Sequence, residues 1–285
     1  MPVAIVTDTC HYMPRTLVDS NAIHEVSLYV HWAEDTERES AISDYGAFYD
    51  RLRTAKALPT TSQPSIGDFL AVYEPLLERG EDIVSIHLAG GMSGTVRAAE
   101  QARDQLPPGH ARRVHVIDSD TACGGQGLVV LAAAAAARAG ADAESVADRA
   151  RRARAELRMW FAIDTLEFLR RGGRIGGAQA WLGSTLKIKP ILTVEAQITP
   201  IERVRTSRRA FERMVDLLRE RAAEGADAWM VQHIQAPAEA NQLLARGKEI
   251  FGSEPVTFSE IGPVIGAHVG PGLLGVGGIP SSYLQ

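Results

Sequence analysis

Three apolar stretches of strand length, each closing on small or acidic residues and each followed by a helical pattern, constrain this chain most. Residues 3–7 run apolar into Asp8, 82–88 into Ala89-Gly90-Gly91, and 114–117 into Asp118-Ser119-Asp120. Apolar residues recur at helical spacing over 66–79, 94–106, 126–139 and 143–157. Strands this short and this apolar are buried on both faces, with the helices as covers, which predicts a parallel, helix-covered sheet. In such sheets ligands lie beyond the carboxyl ends of the strands, where Asp8, Ser93 and Asp118 fall.

The pattern restarts after the arginine-rich helix 143–157. Strands over 159–163, 188–194, 198–204, 228–233 and 256–261 alternate with helices over 166–171, 178–186, 207–223 and 237–251. The expected fold class is therefore α/β with two domains, 1–156 and 157–285. The last apolar segment, 273–278, is free to return to the first sheet or to finish the second. A chain of 285 residues with 45% hydrophobic content can bury cores of that size.

Several function classes drop out early. A net charge of −5 argues against nucleic acid as the main partner. Cys10 and Cys123 are too few for a disulfide framework and lack metal-site spacing. No His-Glu-x-x-His, paired Cys-x-x-Cys, Walker or EF-hand pattern occurs, and Asp8, Asp118 and Asp120 read as helix caps before they read as metal ligands. The longest apolar run, 128–137, is much shorter than the ~20 residues of an integral membrane segment. The opening residues run straight into a strand and leave no room for a signal peptide, so a cytoplasmic protein is expected.

Three polar stretches carry the candidate chemistry. In Thr60-Thr61-Ser62-Gln63-Pro64-Ser65, Ser65 and Asp68 have capping-box spacing, which leaves Thr61, Ser62 and Gln63 as a polar loop. Ser93-Gly94-Thr95 opens a helix directly after a strand, a place for either an anion cradle or a plain N-cap serine. It also falls one residue short of a nucleophile elbow, with Thr95 where that motif has glycine. His268 precedes Gly270-Pro271-Gly272-Leu273-Leu274-Gly275, a formal dinucleotide fingerprint rejected because it contains proline and no βαβ unit follows. Two hydroxyls and an imidazole around a carboxylate make a binding site. Around an ester, the same groups make a serine hydrolase with Ser93 as nucleophile and His268 as base. A basic cluster (Arg170, Arg171, Arg174, then Lys187 and Lys189, then Arg203, Arg205, Arg208 and Arg209) reads as a solvated surface, or as a landing place for a phosphorylated ligand or acidic partner.

Taken together, the chain resembles the DegV family, which includes the bacterial fatty-acid-binding subunits called FakB. The resemblance covers nearly the whole sequence in the family's order. It is carried by Val6-Thr7-Asp8-Thr9, Thr61-Ser62-Gln63-Pro64-Ser65, Ser93-Gly94-Thr95, and Asp118-Ser119 with Gly124, Gly125 and Gly127. Thr165-Leu166-Glu167-Phe168-Leu169 through Gly172-Gly173-Arg174-Ile175, Lys189-Pro190-Ile191-Leu192 and the run Gly262 to His268 complete it. Departures are Thr9-Cys10-His11-Tyr12, where the family has a smaller Ser-Thr-Ala-Asp-like stretch, and Ala267, where threonine is common.

The resemblance implies a two-domain protein that is not itself an enzyme and takes no cofactor beyond one long-chain fatty acid. It implies that Thr61, Ser93 and His268 contact the carboxyl, with Ser62, Gly94 and Thr95 as the supporting loop. Arg174 and Arg205 would meet a partner or a phosphate, and no metal is implied. The implied partner is a separate, dihydroxyacetone-kinase-like fatty acid kinase that makes acyl-phosphate for phospholipid synthesis. Segments 159–163, 180–186 and 190–194 are apolar beyond what one amphipathic face needs and are the expected lining for the tail.

Overall fold

A computed structural model describes residues 1–33, 35–183 and 188–285. The first half supplies seven strands: β1 (Val3–Asp8), β2 (His24–Val26), β3 (Tyr29–Trp32), β4 (Asp35–Arg38), β5 (Thr60–Ser62), β6 (Asp82–His87) and β7 (Val114–Asp118). The second supplies six: β8 (Arg158–Ala162), β9 (Lys189–Glu195), β10 (Gln197–Val204), β11 (Ala228–Ile234), β12 (Thr257–Glu260) and β13 (Leu273–Ile279).

The sheet of order β2-β1-β6-β7 is parallel throughout. Its central strands β1 and β6 are buried on both faces, as their mostly apolar sequence requires, whereas the edge strands β2 and β7 are half-buried. The larger sheet, β10-β9-β8-β13-β11-β12, is mostly antiparallel, with only β11 and β12 running together. The last strand thus lies inside the larger sheet, between β8 and β11, and does not return to the first.

One helix joins the layers. Cys123–Arg138 packs on β1 and β6 from one sheet and on β11 and β13 from the other. That double contact explains why every residue from Cys123 to Ala136 is buried and why the stretch is so rich in alanine, since bulky side chains would hold the sheets apart. The helix starts three residues before the periodicity suggests, because Gly124 and Gly125 present only backbone to Met230 and Met159 and let its first turn settle on the larger sheet. One apolar cluster runs through both layers, from Ile5 and Val84 to Phe161 and Leu273, and two smaller ones lie on the outer faces of the two sheets.

Two stretches differ from the sequence expectation. Strands β3, β4 and β5, between residues 29 and 62, form a small antiparallel sheet, β4-β3-β5, so Thr61 and Ser62 sit on a strand and not in a loop. These strands are three or four residues long, and β4 is exposed along its length, so no apolar period announced them. The helix expected over 178–186 is instead a 3-10 turn, Gly176–Trp181, which ends where Leu182 becomes extended. It lies against β10, whose Ile198 carbonyl and Pro200 crowd Gly176 and Gly177, and it gains no amphipathic face long enough for an α-helix. Residues 184–186 of that expectation, and Lys187, fall outside the described residues. Cys10, His11 and Tyr12 are core residues.

Candidate functional site

The site assembles from a turn, a strand and a short helix that the fold brings to one place. β6 ends at His87, and the turn Ala89–Gly94 is fixed by Asp118 at the end of β7, whose carboxylate accepts the Gly90 N–H at 3.0 Å. This turn presents Ser93. β5 pairs with β3 through Thr61↔Val30 and presents Thr61 and Ser62. The third contribution is the short helix Pro263–Val269, which carries His268 near its end.

That helix is tied down by buried polar groups of the first half. Glu39, 2% exposed, accepts the Val264 N–H at 2.8 Å, the Tyr12 hydroxyl at 2.7 Å and the Thr9 hydroxyl at 2.5 Å. Burial raises its pKa. The Tyr12 hydroxyl in turn accepts the Ile265 N–H at 3.2 Å. The helix passes between β3 and β5 on one side and Glu167–Arg171 on the other.

His268 Nε2 lies 2.7 Å from Thr61 Oγ1, a pairing across 207 positions of sequence. Its Nδ1 is buried without a partner. Gly172 stands against that nitrogen so closely that any Cβ there would overlap it. Burial lowers the imidazole pKa from 6.5 to about 4, and the charge of Arg174 pushes the same way. The ring is therefore neutral at pH 7. An orphaned N–H costs more than an under-used acceptor, so the proton belongs on Nε2, where it is donated to Thr61 Oγ1. Thr61 is left with a free O–H to donate. Ser93 and Thr95 share a hydroxyl bond of 2.8 Å and the Thr95 N–H is donated to Ser93 Oγ at 3.3 Å; with Thr95 as the hydroxyl donor as well, Ser93 keeps its own O–H for a ligand.

Thr61, Ser62, Ser93, Gly94, Arg174 and His268 all line one cavity. Thr95 lies buried beneath Ser93 and does not reach it. Arg174 is exposed at the mouth and donates to the Met92 carbonyl at 3.3 Å and the Gly172 carbonyl at 2.7 Å. Arg205 is exposed just after β10 and is not part of the wall. The cavity holds about 890 Å³ of space between atoms, its open mouth included, and beyond the Thr61–Ser93 end its wall is apolar apart from Gln232. Of the expected lining segments, Met159, Phe161 and Val194 contribute, whereas 180–183 do not and 184–186 lie outside the described residues.

Sequence reasoning missed most of the wall. Leu28, Met92, Cys123, Met230 and Leu273 come from five separate elements or loops, none with a local pattern that marks a cavity. Gly275 was legible in principle, since a glycine inside a strand pattern signals that something passes close to the backbone.

The hydrolase arrangement is not assembled. Ser93 bonds Thr95, His268 bonds Thr61, and Gly172 occupies the position behind Nδ1 that an orienting acid needs. A Ser-His-Asp relay does exist elsewhere, in Ser85, His87 and Asp8, but all three side chains are completely buried and none lines the cavity.

A family model described as "Uncharacterised protein, DegV family" matches residues 2–281. The chain belongs to the DegV family. It is 36% identical over 279 residues to Protein DegV of Bacillus subtilis, covering 97% of this chain and 98% of that one. Among solved structures, a fatty-acid-binding DegV family protein from Thermus thermophilus superposes with a TM-score of 0.87 at 34% identity, covering 98% of this chain and all of the other. DegV of Bacillus subtilis, described as a fatty acid binding protein, gives 0.87 at 35% identity over 98% and 99% of the two chains. Among the described residues of this DegV protein, no helix is long and apolar enough to cross a membrane.

Proposed function

We propose that this DegV protein is a cytoplasmic carrier that holds one long-chain fatty acid and presents its carboxyl group to a separate, dihydroxyacetone-kinase-like fatty acid kinase. The observation that carries the reading is the cavity: a mostly apolar wall on which the Thr61, Ser62 and Ser93 hydroxyls gather beside His268. Burying methylenes contributes about 0.8 kcal/mol each, so a sixteen-carbon tail supplies roughly 10 kcal/mol before the costs of binding. Tail burial therefore sets affinity, and the polar end sets orientation.

At that end the carboxylate receives the Thr61 and Ser93 hydroxyls, each worth about 1.5–3 kcal/mol toward a charged acceptor. His268 acts through Thr61. Kept neutral, it donates to Oγ1 and so turns the threonine hydroxyl toward the ligand. Ser62 and Gly94 complete the rim, and Arg174 supplies positive charge where the carboxylate meets solvent. Arg174 and Arg205 are the groups for the partner or for the phosphate being transferred.

In the proposed reaction a carboxylate oxygen attacks the γ-phosphorus of ATP on the kinase. The bond to the β-phosphate oxygen breaks and ADP leaves. The DegV protein supplies no cofactor and no reacting group. The test is phosphoryl transfer by a bacterial fatty acid kinase to palmitate loaded on this protein. ATP-dependent acyl-phosphate that requires both proteins supports the reading, and palmitate that stays unphosphorylated on a loaded carrier contradicts the kinase partnership.

A further inference from the structure

The floor of the cavity is laid along one strand. β13 leaves the His268 helix through residues 270–272, so Leu273 lies at the polar end, and Gly275 and Gly277 follow on the same face. Leu273 to Gly277 is about 13 Å along the strand. Gly275 is flanked across the sheet by Phe161 on β8 and Gln232 on β11, and all three line the cavity. A Cβ on Gly275 would find only ordinary contacts, Leu273 Cδ2 at 3.6 Å and two carbonyl oxygens at 3.7 and 3.8 Å. The backbone tolerates a side chain there, and that side chain would stand in the cavity.

One step further the space closes. Gly277 is flanked by Met159 and Met230, and their side chains lie over it: a Cβ on Gly277 would meet Met159 Cβ at 2.8 Å and Met230 Cε at 2.9 Å. From above, Gly124 and Gly125 of the joining helix press on Met230 Sδ and Met159 Sδ. The Thr121 hydroxyl donates to Met159 Sδ at 3.1 Å. Two thioethers thus fill the gap between sheet and helix at the end opposite His268.

We infer that Gly275 and the Met159–Met230 pair form the gauge for acyl-chain length, the glycine leaving the floor open and the methionines stopping the tail. The inference rests on the fatty-acid reading of the same cavity. A side chain at Gly275 shortens the longest chain accepted. Trimming Met159 lengthens it.

The test loads wild type, Gly275→Ala, Gly275→Val and Met159→Ala with equimolar lauric, palmitic, stearic and arachidic acids and reads occupancy by native mass spectrometry. Circular dichroism confirms the fold of each. Displacing even two methylenes costs about tenfold in affinity. Gly275→Val is therefore expected to lower the stearate-to-laurate ratio at least about tenfold, with Gly275→Ala smaller in the same direction, and Met159→Ala to raise arachidate over palmitate severalfold. Should the valine variant fail to fold, the alanine and Met159 variants decide. A wild type that binds acids, with variants of unchanged profile, overturns the gauge alone. A wild type that takes up no acid overturns the fatty-acid reading and the gauge with it.

Discussion

Two hydroxyl–imidazole systems in this protein use the same chemistry to opposite ends. In the first, Tyr73 donates to Ser85 at 2.7 Å, Ser85 meets His87 Nε2 at 2.7 Å, and His87 Nδ1 meets Asp8 at 3.1 Å, all completely buried. Asp8 also accepts the N–H groups of Cys10 and Leu88. Burial alone would raise its pKa, but the bonds and charge from His87, with the Leu88 N–H, hold it below the ordinary carboxylate range. Every member of that chain has a partner, so it has nothing left to offer a ligand. In the second, Thr61 and His268 share one bond, one ring nitrogen is unpartnered, and the threonine proton faces a cavity. Saturation makes a structural strut, and deliberate incompleteness makes a site.

Breaking the strut gives the largest expected effect. His87→Ala takes the imidazole from the buried Asp8 carboxylate, which keeps the Cys10 and Leu88 N–H groups, and costs about 3–5 kcal/mol of stability. Urea unfolding measures this, and a loss below about 1 kcal/mol, or ligand loss with stability intact, would invert the comparison.

Removing both donors from the site affects binding directly. Thr61→Val combined with Ser93→Ala is expected to weaken palmitate binding by about a hundredfold or more, from two charge-assisted bonds. Unfolding free energy should also fall, by about 1–3 kcal/mol, because Thr61→Val leaves the His268 Nε2–H without its acceptor. Unchanged palmitate affinity by calorimetry removes both hydroxyls from the carboxyl site.

The neutral imidazole sharpens the contrast through pH. His268 titrates near 4 in the folded chain and near 6.5 unfolded, so the unfolded state binds more protons between those values and stability falls as pH drops through that window. At pH 5 the contribution is about 2 kcal/mol relative to pH 7. His268→Gln should lose stability by that much less over the same step. Identical pH dependence of wild type and variant would contradict a buried neutral ring.

The smallest effect is expected at Arg205→Ala, outside both systems. Kinase turnover should fall severalfold with lipid content unchanged, and loss of lipid would place Arg205 in the cavity.

The sequence made the parallel sheet legible because β1 and β6 are apolar runs buried on both faces and β7 alternates apolar residues with a half-buried face, patterns that periodicity detects. It also brought out Thr61, Ser93 and His268, three residues separated by up to 207 positions that the fold places on one cavity. The small sheet stayed hidden, since β3, β4 and β5 owe their pairing to each other and β4 buries nothing. The His268 helix escaped notice for a related reason: its seven residues are held by Glu39 and Tyr12, far away in the chain. The tail wall was visible only in part because Met159 and Phe161 meet Met230 and Leu273 through strand order, which no local pattern encodes.

The most direct test is native mass spectrometry of the protein purified from bacterial cytosol without denaturation. The account predicts a complex heavier than the chain by the mass of a single long-chain fatty acid, released as the free acid on collisional activation. A spectrum of the bare chain alone, unchanged after incubation with palmitate, would contradict it.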